Sequence, residues 1–198
     1  MEEEIIIKSD NFNVNNIIFE HIDNKRYIKM YYIDTYLKIT TPILNLPFGI
    51  QTFNKTNNCQ NLYNLNLSID NQNIEFYNFI KSFEEHINKY IKNNVCQTIS
   101  LASKIYKNNE YNPLFKLDIC NDDINYIKYY INESDTITND SLKNISSFDE
   151  IKLYLKSNTK IKCDIIFKGV WLSEFKFGIS CKLRKIIIFK NKCQTILS

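Results

Sequence analysis

Two groups of residues in this chain combine aromatic and cationic side chains on or beside faces that the two-residue period of a β-strand turns outward. Tyr27, Lys29, Tyr31, Tyr36 and Lys38 form the first group, and Trp171, Phe175, Lys176, Lys182 and Arg184 the second. Flat rings stack on planar ligands at about 1–3 kcal/mol per nucleobase, and ammonium or guanidinium groups neutralise phosphates. Both kinds of side chain on one sheet face are therefore the ingredients of a surface for single-stranded nucleic acid. Taken singly, each residue has a plainer explanation. Trp171 could be a core residue at a strand end, and lysine on a strand edge also blocks aggregation.

These groups have to be positioned by strands, and the periodicity supplies them. Residues 25–33 place Lys25, Tyr27, Lys29 and Tyr31 on one face and Arg26, Ile28, Met30 and Tyr32 on the other. Residues 35–41 point Leu37 and Ile39 inward and Tyr36 and Lys38 outward, until Pro42 ends the strand. Residues 62–69 turn Tyr63, Leu65, Leu67 and Ile69 inward. Residues 114–120 read as a further strand and 124–131 as a weaker one, followed by a polar loop over 132–146. In the C-terminal third, 161–171 sets Ile161, Cys163, Ile165 and Phe167 against Lys162, Ile166 and Lys168. After a tight connection around Ser173–Glu174, Phe177, Ile179, Cys181 and Leu183 face inward, and Lys176, Gly178, Ser180, Lys182 and Arg184 outward.

Between the strands the period changes to 3.6. From Ile74 to Lys92 one apolar stripe runs through Phe76, Phe79, Ile80, Phe83, Ile87, Tyr90 and Ile91, with Lys81, Glu84, Glu85 and Asn88 on the polar side. A shorter helix covers about 147–156, opened by Ser146 or Ser147 with Glu150 three residues after Ser147. The pattern predicts a mainly β (α+β) domain, an antiparallel β-barrel of about five strands with one long and one short helix inserted. Residues 1–24 read as an acidic arm, 25–190 as the single domain and 191–198 as a short tail.

Composition narrows the function classes. The chain has 198 residues, including 33 Ile, 28 Asn and 23 Lys, but three Gly and three Pro. Collagen, flexible linkers and an Ala/Leu helical bundle are excluded, and 14% aromatics argue against wholesale disorder. This bias matches AT-rich coding, so single Asn and Lys residues carry little signal. The charge is uneven: from Lys160 onward nine basic residues face only Asp164 and Glu174, in a chain whose net charge is +3. A basic, aromatic segment suits a polyanion. No apolar run approaches membrane-spanning length, and the acidic start MEEEIIIKSD is unlike a secretory signal, so no membrane association is expected.

Catalytic signatures are missing. Three glycines at 49, 169 and 178 cannot form a phosphate loop, and no G-x-S-x-G occurs. The six cysteines contain no C-x-x-C pair, and His21 and His86 have no metal-ligand spacing, so free thiols in a reducing compartment are expected. Asp122–Asp123 and Asp149–Glu150 fit solvated or capping roles better than magnesium. The expectation is a non-enzyme without a cofactor.

The run ITTPILNLPFGIQTF at 39–53, the strand LYNLNLSI at 62–69 and the run IKCDIIFKGVWLSEFKFGISCKLRKIIIF at 161–189 carry a resemblance. Its most specific parts are T-P-x-x-x-x-P-F-G at 41–49 and W-x-x-x-x-x-F-G at 171–178. Over residues 25–190 the chain resembles a single-stranded DNA-binding protein family of large nucleocytoplasmic DNA viruses. That family is similar to the OB-fold single-stranded DNA-binding proteins of short-tailed bacteriophages. The resemblance implies an OB-like barrel that coats single-stranded DNA without sequence preference in viral replication, recombination or repair. It implies replication proteins (polymerase, helicase-primase) as partners, allows a homodimer, and places the protein in a cytoplasmic viral factory or the virion. It also puts Phe177 on or beside the DNA-binding strands, and Phe48 and Lys55 on a groove-side loop. The nucleic-acid-binding set is then Tyr27, Lys29, Tyr36, Lys38, Phe48, Lys55, Lys168, Trp171, Lys176, Phe177, Lys182 and Arg184.

One departure stands out. The phage proteins end in an acidic tail, whereas this chain ends KNKCQTILS, leaving Glu2–Glu4 as the candidate substitute. The alternative reading is a virion structural or assembly protein that uses the same hairpin to pair with a protein partner.

Overall fold

The computed structural model describes residues 6–7, 12–22, 26–54, 61–107, 110–120, 127–132, 143–144 and 147–189. The strands are β1 (Ile6–Ile7), β2 (Ile17–His21), β3 (Tyr27–Tyr32), β4 (Leu37–Thr40), β5 (Leu44–Leu46), β6 (Ile50–Asn54) and β7 (Asn61–Ser68). Helix α1 (Ile74–Asn94) follows, then β8 (Ser100–Ala102), β9 (Ile105–Tyr106), β10 (Leu114–Cys120), β11 (Lys128–Asn132) and β12 (Lys143–Asn144). Helix α2 (Phe148–Lys152) precedes the two longest strands, β13 (Thr159–Leu172) and β14 (Lys176–Phe189).

The β13–β14 hairpin is the spine. On one edge of β13 three short strands line up end to end: β5 against Thr159–Ile161, β4 against Asp164–Phe167 and β3 against Gly169–Trp171. On the far edge of β14, β8 pairs with Lys176–Gly178 and β11 with Lys185–Phe189, both in parallel. The alternation dictates which side is dry. Ile161, Cys163, Ile165, Phe167 and Val170 of β13 are buried, as are Phe177, Ile179, Leu183, Ile186 and Ile188 of β14. Each such apolar side chain contributes about 1.5–3 kcal/mol by leaving water.

Two bulges interrupt the hairpin. Phe167 pairs with Cys181 and Gly169 with Ser180, so Lys168 is extra in β13. Asp164 pairs with Lys185 and Ile165 with Leu183, so Arg184 is extra in β14. A bulge bends its strand and increases its twist, which lets a 14-residue strand wrap the core.

Helix α1 packs on the inner side of this sheet. Phe76, Ile80, Phe83, Ile87 and Ile91 are buried, and Phe83 meets Phe167 with ring centroids 4.8 Å apart. The expected stripe is therefore present, with one correction. Glu84, expected on the polar side, is 2% exposed. Its carboxylate accepts from the Ser103 hydroxyl at 2.7 and 2.9 Å and from the Lys104 backbone N–H. It thereby pins the chain entering β9 to the helix. Helix α2 starts where the sequence placed it: the Ser147 hydroxyl accepts from Glu150 N–H.

The expected barrel of about five antiparallel strands is corrected. Fourteen strands among the described residues join one sheet, and it is mixed, because β1, β8 and β11 pair in parallel. The extra strands are mostly two to five residues long, too short to show a period of their own. The weaker strand expected at 124–131 is β11, and β12 lies within the segment expected to be a polar loop. Residues 12–21, inside the acidic stretch, pack on the domain: Ile17 is buried, and Phe12 contacts the rings of Tyr32, Phe79 and Phe83. Among the described residues no helix is long and apolar enough to cross a membrane, and Cys96, Cys163 and Cys181 are free thiols.

Candidate nucleic-acid interface

Strands β3, β4, β13 and β14 turn one side to the core, and the expected aromatic and cationic residues occupy the other. Trp171 stands at the centre, paired with Tyr27 on β3 and with Gly178 on β14. Its ring is held by what Gly178 lacks. A β-carbon at 178 would lie 2.5 Å from Trp171 Cζ2 and 2.7 Å from Cε2. The indole therefore crosses onto β14 and keeps 37% of its surface exposed.

Tyr27 repeats the arrangement one strand over. A β-carbon at Gly169 would meet the Tyr27 ring at 3.0 Å and the Ile28 carbonyl at 2.1 Å. The ring passes over Gly169 and its hydroxyl forms a hydrogen bond with Ser180 of β14. Burial raises the Tyr27 phenol above its ordinary value, against that hydrogen bond. Two of the three glycines in the chain thus make room for the two rings.

The cations surround this pair. Lys176 is exposed at the start of β14, while Lys182 and Arg184 follow on the same outer side, both half-buried. Lys168 holds its ammonium 3.8 Å from the centre of the Tyr36 ring, and Tyr36 also stacks with Tyr31 at 5.1 Å. Lys29 forms an ion pair with Glu20 at 3.6 Å; Glu20 raises its pKa and also accepts a hydrogen bond from Tyr31. Asp164 is nearly buried, held by the Thr40 hydroxyl at 2.7 Å and Lys185 at 3.8 Å. At the hairpin tip Ser173 bonds the backbone of Lys176 from both sides, and Phe175 is 71% exposed.

Tyr27, Lys29, Tyr36, Lys38, Lys168, Trp171, Lys176, Lys182 and Arg184 therefore share one sheet face, with differing access. Lys38 is only 9% exposed, because β4 is covered on its outer edge by β1, where Ile6 pairs with Lys38. Phe177 is corrected to a core residue: it is 0% exposed, since its partner in the ladder is Leu172 and the outward position belongs to Gly178. Phe48 is exposed but lies beyond β5, which pairs with the opposite end of β13, roughly 40 Å along the strand from Trp171. Lys55 lies outside the described residues. Sequence reasoning put Gly178 and Ser180 on this outward face but gave neither a role, and it missed the glycine floors under the two rings. The available signal was that two of three glycines fall inside strands, where glycine marks close approach.

Among the described residues no group of three His, Cys, Asp or Glu could hold a metal ion. No protein-family model matches the chain, and no curated protein sequence matches it. Solved structures similar to it include the following two. One is the single-stranded DNA-binding protein from bacteriophage Enc34 in complex with ssDNA, 11% identical over 87% of this chain and 94% of that one, with a TM-score of 0.49. The other is gp2.5, a single-stranded DNA-binding protein encoded by bacteriophage T7, 10% identical over 79% and 87%, with a TM-score of 0.48. At these values the likeness fixes neither family nor ligand for this chain.

Proposed function

We propose that this chain is a non-catalytic, sequence-tolerant single-stranded DNA-binding protein with an OB-like barrel, acting in viral DNA replication, recombination or repair. The observation that carries the reading is the register pairing of Tyr27 with Trp171, each ring over a glycine and both flanked by Lys176, Lys182 and Arg184. Exposed rings offer stacking faces to bases of any sequence, because every base has a π-face. In a duplex those faces are already stacked, so single strands are preferred. The cations supply a sequence-independent attraction that weakens as salt rises.

On this reading single-stranded DNA is the first partner. Replication proteins of the polymerase or helicase-primase class are further ones, and the place of action is a cytoplasmic viral factory. The family proposed is that of large nucleocytoplasmic DNA viruses, on the motifs at 41–49 and 171–178.

The test is fluorescence anisotropy of a labelled oligothymidine at low and at moderate salt, with duplex DNA as competitor and emission from Trp171 recorded in parallel. Tight, salt-sensitive binding that duplex does not compete, with quenching of Trp171, supports the reading. No binding at low salt overturns it. Salt-insensitive oligomers without nucleic acid would favour an assembly protein instead, for which β2 offers an edge strand with Ile18 exposed.

A further inference from the structure

The outer side of β14 reads, in order, Lys176, Gly178, Ser180, Lys182 and Arg184. Two aromatic side chains reach this row from other strands. Trp171 arrives from β13 over Gly178, and Tyr27 arrives from β3 across Gly169 to Ser180. Both lean the same way: the indole lies over Gly178, and the Tyr27 ring lies over Gly169 of β13 with its hydroxyl at Ser180, two residues on from Gly178 and roughly 7 Å further at the usual strand rise. Read along the direction of β14, the order is therefore cation, ring, ring, cation, cation, with the second ring reaching in over β13.

That spacing selects a ligand shape. Bases in a B-form strand are about 3.4 Å apart, so rings roughly 7 Å apart fit a strand pulled out to about twice that rise. The charges select a direction. Toward β3, Lys29 is paired with Glu20 and Tyr31 bonds the same carboxylate, so a phosphate chain crossing the sheet that way meets an acid. Along β14 it meets Lys182 and then Arg184, which the bulge inserts between inward Leu183 and outward Lys185. Asp164, near that end, is nearly buried and already held by Thr40 and Lys185.

The geometry points to a bound single strand that lies along β14 instead of across the sheet. Two neighbouring bases rest on Trp171 and Tyr27, and phosphates run on to Lys182 and Arg184. From Lys176 to Arg184 is roughly 26 Å of strand, which makes the site about four extended nucleotides long. The inference deepens the proposed single-strand binding and rests on it.

The experiment is the salt dependence of binding for oligothymidylates of two to eight nucleotides, read by Trp171 emission. Affinity and salt slope should climb up to about four nucleotides and then level off. For the tetranucleotide, Lys182→Gln with Arg184→Gln should reduce the slope of log K against log salt by about 1.4, at about 0.7 per phosphate contact, and leave Trp171 quenching in place. If the double variant does not fold, Lys182→Gln alone should remove about half of that. An unchanged slope with Trp171 still quenched overturns the path along β14 while single-strand binding stands. No binding and no quenching at any length overturns the proposed function itself.

Discussion

Trp171 and Gly178 face each other in the β13–β14 ladder, and the indole fills the volume that any larger residue at 178 would need. The position of the ring is thus set by a residue that makes no polar contact with it. Such preorganisation lowers the cost of ordering a side chain when a ligand arrives.

Gly178→Ala should therefore weaken single-strand binding although it removes no atom from the surface. The added methyl forces the indole off β14, and the expected loss is of the order of the stacking contact itself, about 1–3 kcal/mol. Combined with Trp171→Ala it should add little further. A double-mutant cycle on oligothymidine affinity checks this, and full additivity would separate the glycine from the ring.

Trp171 and Phe177 belong to one W-x-x-x-x-x-F-G motif but answer to different measurements. Trp171→Ala should weaken oligothymidine binding by about 1–3 kcal/mol and cost less stability than Phe177→Ala, because the indole keeps 37% of its surface exposed. Phe177 is fully buried, so Phe177→Ala should cost about 3–5 kcal/mol of folding free energy. Urea titration read beside anisotropy separates the two.

Glu84 is a structural carboxylate. Removing it by Glu84→Ala strands the Lys104 N–H and leaves the Ser103 hydroxyl only its bonds to Ile105, which should cost about 1–3 kcal/mol and lower the Tm by roughly 2–12 °C for a chain of this size. Single-strand affinity at low temperature should stay as it is, because Glu84 lies on the helix side of the sheet. Calorimetry gives the first number and anisotropy the second.

Tyr129 gives a pH signature. Its hydroxyl donates to Glu150 Oε1 at 2.6 Å, and that bond, with burial, pushes the phenol from 10.0 up to about 12. A phenol that ionises later in the folded chain than in the unfolded one adds stability that is complete below about pH 10. That stability is lost as pH rises through about 12. Urea midpoints should fall over this window, and Tyr129→Phe should be less stable at neutral pH and flatter above about pH 10.

Much of the fold was legible because its signals are local. The α1 stripe, the Ser147 cap and β10 at 114–120 each depend on residues within a few positions of one another. What escaped depends on partners far away in the chain. Lys38 alternates outward and is nevertheless nearly buried, because β1 lies along the edge of its strand. Glu84 sits on a polar helix face, yet the turn at Ser103–Ile105 covers it. The bulges at Lys168 and Arg184 leave no mark in a two-residue period, and parallel partners such as β8 and β11 are too short to announce themselves. For the site, alternation brought Tyr27, Trp171, Lys182 and Arg184 to one face. Placing Phe177 there by motif failed, because the same motif alternates inward at Phe and outward at Gly.

The end-to-end seating of β3, β4 and β5 along one edge of β13 also sets a clock on biosynthesis. Leu37 pairs with Phe167 and Leu46 with Thr159, so the one edge that seats β3, β4 and β5 together is missing until the ribosome has added more than a hundred further residues. At about 5–20 residues per second that wait is roughly 5–25 s. Throughout it, β3 has only β2 to pair with and β4 only β1, and the apolar Ile28, Met30, Leu37 and Ile39 wait for the rest of their sheet. A messenger cut short before β13 would therefore yield no smaller version of the domain, only a chain whose first four strands lack the strand that closes them.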